Sequence, residues 1–380
     1  MEWKEVRLGD VCSELSDGLH KAPKFIVNGE YIFVNAKNLY NGYILDNDPT
    51  KKTSHEEYLK YKKPLGKHTI LYSIDGTIGN IAKYRGEKCV LGKGACYINC
   101  NPEIVESSYL YYQLQSPHFK SYIHLMSTGS TIKHISLKTM RDYVFELPSL
   151  EDQRHIASIL SSLDRKIELN NKINADLEEM AQAIFKNWFV DFEPFKDGKF
   201  VDSELGMIPE GWKVGCLGDL ITIKYGKDHK KLDDGTFPVY GSGGFMRFVN
   251  SWLYNGESVL IPRKGTLNNI MYVCEKFWTV DTMFFSVPKM DYVMKYVYNY
   301  IKRFDFSKMN EGTSVPSNTA ARLNKMPILI PTHEILEMYD ETLCPIYNKR
   351  KMKDKESRTL SLLRDTLLPR LMSGELEVPE

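Results

Sequence analysis

Two stretches of this 380-residue chain carry the residue types that grip a polyanion. GSTIKHIS at residues 129–136 sets Ser130 and Thr131 beside Lys133 and His134. GTSVPSNT at 312–319 keeps the glycine and the hydroxyls, as Thr313 and Ser314, but holds Pro316 and Ser317 where the first has lysine and histidine, with Asn318 and Arg322 as the polar side chains nearby. Small hydroxylated residues let a backbone approach a phosphate and donate to it, a lysine neutralises one, and histidine, asparagine or arginine can reach a base edge. A second matched pair, SIDGTIGN at 73–80 and PRKGTLNN at 262–269, puts Gly76 and Thr77 in the place of Gly265 and Thr266. Asp75 precedes the first loop, and Arg263 and Lys264 precede the second. Further candidates are His20, Lys21 and Lys24 in SDGLHKAPKF, Lys227 and Lys230 in KYGKDHKK, and Ser242 in the turn GSGG. Solvated charge at a loop tip is the competing account of these residues, and drift is the competing account of the differences within each pair.

Residues for covalent chemistry are harder to find. No GxxxxGK[ST] loop is present to cradle a nucleotide, and no carboxylate cluster with a paired lysine and no Ser/His/Asp order stands out. The seven cysteines are odd in number and scattered, and the nearest to a cluster, Cys89, Cys96 and Cys100, match no zinc spacing. The expectation is reduced thiols, no metal, no cofactor and no catalytic residue. Apolar content of 42% beside 26% charged residues suits a globular chain, and no run approaches the roughly 20 apolar residues of a membrane helix. The charged opening MEWKEVRLGD does not resemble a signal peptide, so a cytoplasmic location is expected.

The elements that must position the loops come in duplicate. WKEVRLGDV at 3–11 returns as WKVGCLGDL at 212–220, an offset of 209; the GT loops match at an offset of 189; and STGSTIKHISLKTMRDYVFELP at 127–148 returns as NEGTSVPSNTAARLNKMPILIP at 310–331, an offset of 183. Leu177, Ile184 and Trp188 then fall on Leu360, Leu367 and Leu371 at that same last offset. Length differences therefore sit in the loop-rich blocks and none in the segments after them, as expected if those later segments are packed helices. The basic residues are also partitioned: residues 1–149 hold 19 against 16 acidic ones and 212–331 hold 16 against 10, while the rest of the chain is acidic. Two positive blocks suit two surfaces that face a polyanion.

Each block alternates short strand-like runs with Gly, Asn and Asp turns and carries one helical run, ESSYLYYQLQS or YVMKYVYNYIKRF. From Glu151 onward apolar residues recur every three or four positions, including Leu163, Ile167, Leu177, Ile184 and Trp188, with no Pro or Gly before Pro194. The C-terminal run repeats this with Leu360, Leu363, Leu367 and Leu371, although Pro345 and Pro369 are expected to interrupt it near its ends. A narrow apolar seam needs a partner, and its duplicate is at hand. The expected fold is α+β: two duplicated mixed α/β domains at 1–149 and 212–331, separated by two long antiparallel helices at 150–191 and 332–380 that form a coiled-coil-like spacer, with 192–211 as a linker.

The order of block, helix, tether, block, helix, with WFVDFEPF and FVDSELGMIPEGW at the junction, LPSLEDQRHIASILSSLD opening the first helix and LRDTLLPRLMSGEL closing the second, resembles the specificity subunit of Type I restriction-modification systems. The resemblance implies that each block is a target recognition domain reading half of a bipartite, gapped site in double-stranded DNA. It also implies that the helices set the gap and dock two methyltransferase subunits, which bring in motor-nuclease subunits. An Asn-Pro-Pro-aromatic methyltransferase motif is missing, since NPEI at 101–104 fails it, so a non-catalytic subunit is expected. The alternatives are a duplicated protein-binding scaffold and a single-chain restriction enzyme with an unrecognised catalytic block.

Overall fold

The computed structural model describes residues 3–129, 133–308 and 317–377. Contacts divide the chain into two compact units, residues 1–169 with 356–380 and residues 170–355, so each unit takes half of each long helix.

In the first unit a four-stranded antiparallel sheet runs in the order Cys12–Asp17, Ala95–Cys100, Thr69–Ser73, Ile81–Lys83. Ile70, Tyr72, Cys96 and Ile98 bury one face against the helices Ser107–Gln113 and Pro117–Met126, where Tyr109, Leu110 and Phe119 lie within the same core. Alternation along the strands sends Leu71, Ala95 and Tyr97 into a smaller core with Val34, Leu39 and Leu91. Both helix starts are written in the sequence. Glu106 accepts from the backbone N–H groups of Ser108 and Tyr109, and Ser116 accepts from Phe119, with Pro117 at the first helical position.

The second unit builds a six-stranded sheet in the order Ile221–Tyr225, Met283–Pro288, Tyr254–Pro262, Met271–Thr279, Phe237–Gly241, Gly244–Val249. Every residue of its helix Met294–Ile301 is buried.

The repeat seen in the sequence is a repeat of contacts. Lys4 pairs with Leu147 in one unit and Lys213 with Ile330 in the other. The Leu8 N–H donates to the Tyr143 carbonyl at 2.8 Å, and its counterpart Leu217 donates to Met326 at 2.8 Å. The glycine of the LGD phrase is explained by a close approach: a Cβ on Gly9 would sit 3.1 Å from Cβ of Arg141, and one on Gly218 3.2 Å from Cβ of Asn324, which is the equivalent position.

The central helix spans Leu150–Phe189 and the C-terminal helix His333–Met372, 40 residues each. Pro345 and Pro369 do not interrupt the latter. Each removes one N–H, and the carbonyls left unpaired belong to Glu341 and Asp365, both exposed, so water can satisfy them. Within each unit the two helices pair antiparallel. Arg364 meets Asp164 at 2.8 Å in the first unit, and Arg350 meets Glu178 at 2.6 Å in the second.

The seam is more polar than its spacing suggests. Ile156, Leu160, Leu368 and Leu371 are buried in the core of the first unit, and Ala181, Phe185 and Phe189 in that of the second, where Leu177, Ile184 and Trp188 are partly buried. Toward the middle of the helices Leu163, Ile167 and Leu360 are only half-buried, Asn174 donates to Asp354 at 2.6 Å, and Asn170 is fully buried. Leu363 is 44% exposed and lies outside the buried part of the seam, whereas Leu360 and Leu367 are half-buried and Leu371 is buried.

The junction is more ordered than a tether. Phe200–Val201 pairs with Ile208–Pro209, and Trp212 is buried against Phe189, Phe192 and Phe195 with ring centroids 5.2 to 5.7 Å apart.

Candidate nucleic-acid interface

In the first unit four loops converge through backbone contacts. Leu19 donates to Leu91 and accepts from Lys93, at 2.7 and 2.8 Å; the Ile74 N–H donates to Gly94 at 3.1 Å; Ile135 donates to Ile74 at 2.9 Å; and Gly76 donates to Lys133 at 3.0 Å. This brings the turns at 17–21, 75–80, 91–94 and 133–135 side by side. Gly76 and Thr77 are exposed at the tip, with Gly76 at φ +71°, a left-handed conformation that glycine adopts without strain. Asn80 braces the loop from below, its side chain donating to the Ala36 carbonyl at 2.9 Å.

The second unit repeats the frame. Asn318 donates through its backbone to Arg263 at 3.0 Å, the counterpart of Ile135 to Ile74. Gly265 has φ +86°, and the Asn269 side chain donates to the Ser242 carbonyl at 2.9 Å. Lys227 donates to Thr279, and Arg263 to Thr282, so the turns at 226–231, 263–269, 279–282 and 317–319 meet as their relatives do. Arg247 fixes the first of these turns by donating to the His229 and Leu232 carbonyls, each at 2.8 Å, and to the Asp234 carboxylate at 3.0 Å.

On this shared frame the side chains differ. The first unit holds Asp75 between the His134 Nδ1 atom and the Lys93 ammonium, the latter at 3.8 Å. His134 is therefore oriented by a carboxylate. Asp75, a repulsive neighbour for a phosphate when read alone, is matched by an imidazole and a cation. At the equivalent positions the second unit has Lys264, Ser317 and Asp281, since the bond of Arg263 to Thr282 makes Thr282 the counterpart of Gly94. Lys264 is exposed, and the Arg263 guanidinium lies 5.6 Å from the Tyr225 ring and donates to the Asp281 carbonyl at 3.3 Å. Lys227, Lys230 and Thr266 are exposed around it, and Arg322 is half-exposed on the helix Ala320–Asn324.

Some residues expected at the surface do other work. Asn318 is 2% exposed, and its side chain donates to the Pro262 carbonyl at 2.9 Å, so it holds the frame together and is not free to read a base. Lys24 is exposed but tied by its backbone to Glu57 and Thr53, away from the four loops, whereas His20 and Lys21 adjoin them, with His20 3.1 Å from Asp17. Ser130, Thr131, Thr313 and Ser314 lie outside the described residues. Lys93 is absent from the candidates that the sequence suggests; its flanking glycines in LGKG are the available signal of an exposed cation on a tight turn.

Cys89, Cys96 and Cys100 are buried, Cys12, Cys274 and Cys344 are half-buried, and Cys216 is exposed. Burial pushes the Cys89 thiol up to about 12, and burial, with Cys96 nearby, does the same for Cys12, the opposite of what a metal ligand needs. A cavity of about 680 Å³ in the first unit lies away from the loops, and Glu5, Glu146 and Glu375 in its lining would repel a phosphate. Among the described residues no helix is long and apolar enough to cross a membrane.

Two glycine-tipped loop clusters with exposed cations, on one repeated frame, define a duplicated protein with two candidate polyanion-binding surfaces. The profile of the Type I restriction modification DNA specificity domain matches residues 1–179 and 209–353, and the chain belongs to that family as a specificity subunit. It is 28% identical over 396 residues to the Type I restriction enzyme MjaIX specificity subunit of Methanocaldococcus jannaschii, covering 94% of this chain and 86% of the relative. It is 22% identical to the HindI specificity subunit of Haemophilus influenzae, covering 99% of this chain and 100% of that one. The crystal structure of a Type I restriction-modification system S subunit from M. genitalium shares the fold with a TM-score of 0.57 at 19% identity, covering 98% of this chain and 96% of that one.

Proposed function

We propose that this specificity subunit reads a bipartite, gapped site in double-stranded DNA, one half through each loop cluster, and is itself non-catalytic. In this reading Gly76, Thr77, Ser130, Thr131, Lys133 and His134, with His20 and Lys21, face the first half-site. Lys227, Lys230, Ser242, Arg263, Lys264, Thr266, Thr313, Ser314 and Arg322 face the second. The paired helices set the gap and dock two methyltransferase subunits, through which motor-nuclease subunits join. The observation that carries the proposal is the repeated backbone frame, Ile135 to Ile74 and Asn318 to Arg263, bearing Asp75, Lys93 and His134 in one unit and Lys264, Asp281 and Ser317 in the other. A kept frame with changed side chains is what two related domains of different base preference require, since phosphate contacts position while base contacts specify.

Exchanging residues 1–148 for the same block of a relative, in the complex with its methyltransferase subunits, is expected to change one half of the methylated motif and leave the other half unchanged. Sequencing of methylated positions in host DNA reads both halves at once. A change in both halves, or in neither, would contradict the division of labour.

A further inference from the structure

We infer that the Asp75–His134 pair is a specificity element of the first unit, in which Asp75 is a positioning residue that presents the far nitrogen of the His134 ring to an exocyclic amine of a base in the major groove. The inference rests on the reading of the loop clusters as DNA-facing.

The pair dictates the chemistry. A carboxylate only accepts, so the His134 Nδ1 atom beside Asp75 carries the proton, and in the neutral ring Nε2 is then an acceptor. The backbone of His134 is fixed by a reciprocal pair of bonds with Thr128, the His134 N–H donating to Thr128 at 2.9 Å and its carbonyl accepting from Thr128 at 3.0 Å. His134 is 40% exposed and Asp75 only 24%, so the imidazole is the outward member of the pair. Lys93, 3.8 Å from the other carboxylate oxygen, offsets the Asp75 charge, so that a carboxylate this close to a DNA backbone does not oppose binding. A fixed acceptor on an exposed loop finds its complement in the major groove in the N6 amine of adenine or the N4 amine of cytosine. The second unit has no imidazole in these three positions and reverses the charges, with Lys264 in place of Asp75 and Asp281 in place of Lys93, so the recognition belongs to the first half-site alone.

The test uses the specificity subunit bound to its methyltransferase subunits, with selection from duplexes randomised in both half-sites. His134→Ala and Asp75→Ala are each expected to lose selectivity, on the order of 10-fold to 100-fold, at the same single base pair of the first half-site. The second half-site stays fully selected, which reports that the variants fold and assemble. Asp75→Asn, whose side-chain oxygen still accepts from Nδ1–H, is expected to restore most of the selectivity. Replacing adenine by purine, or cytosine by 2-pyrimidinone, at that base pair removes the amine alone. This should weaken the wild-type complex by a similar factor and leave His134→Ala unaffected. An unchanged motif in both alanine variants, or a uniform loss of affinity over all sequences, overturns the inference while the half-site reading stands. A wild-type complex that selects no sequence overturns that reading and this inference with it.

Discussion

Phe185→Ala is expected to destabilise the second unit by about 3–5 kcal/mol, the usual cost of emptying a large aromatic site in a core. The ring is 1% exposed, and its centroid lies 5.2 Å from Phe189, 5.6 Å from Tyr296 and 6.3 Å from Tyr339. These neighbours come from the central helix itself, from Met294–Ile301 and from the C-terminal helix, so one side chain joins three elements that cannot all collapse into the space it leaves. In a unit of this size, a loss of that order lowers the unfolding midpoint by on the order of 10 °C. Leu363→Ala is the matched control. At 44% exposure its side chain already has close to half its surface in water, and the change should stay within about 0.5 kcal/mol. Thermal or urea unfolding of the two variants gives the comparison, and equal losses would mean that the domain core holds the central helix no more firmly than an exposed position of the helix pair does.

That distinction explains what could be read from the sequence. The repeat is legible because its framing residues do local work: Gly9 and Gly218 are crowded by one equivalent neighbour, and the strands beginning at Lys4 and Lys213 pair in equivalent registers. The length and period of the central helix are legible for the same reason, since no Pro or Gly breaks it. The partner of each apolar position is not. Spacing of three and four identifies a stripe, yet Leu163 and Leu177 look alike in it, and only the fold decides that the middle of the pair is crossed by Asp164–Arg364 and Glu178–Arg350. The loop clusters are hidden for a different reason. Asp75 and His134 are 59 residues apart, and Lys93 lies between them in sequence, so their meeting depends on strand order, which composition does not record. Asn318 has the chemistry of a reader because amides can bind bases, but a buried amide is equally suited to satisfy a stray carbonyl, and Pro262 supplies one.

Lys295→Met is expected to cost about 3–5 kcal/mol near neutral pH, although methionine fills nearly the same volume. The ammonium is 5% exposed and lies 2.7 Å from Asp340 on the C-terminal helix and 3.2 Å from Glu257 on the strand Tyr254–Pro262, where Glu257 also accepts from the Tyr272 hydroxyl. Burial alone would lower the lysine, but its bonds to Asp340 and Glu257 outweigh that and raise it, so it is charged wherever the protein is folded at ordinary pH. Removing it leaves Asp340, 15% exposed, and Glu257, 30% exposed, without the cation that offset both, which is the source of the cost. The pH dependence has a definite sign. Burial already raises Asp340 above its ordinary 3.8 despite the lysine, and without the lysine it rises further. A carboxyl raised in the folded state binds more protons there than in the unfolded chain, so stability falls as pH rises through its folded value. The deficit of Lys295→Met should therefore shrink as the pH is lowered from 7 through that raised value, and adding Asp340→Leu should recover part of it at pH 7, because one of the two orphaned charges is gone. Urea unfolding of the single and double variants across pH measures both effects. A deficit that is constant with pH, or that deepens in the double variant, would mean that the lysine acts through packing and not through its charge.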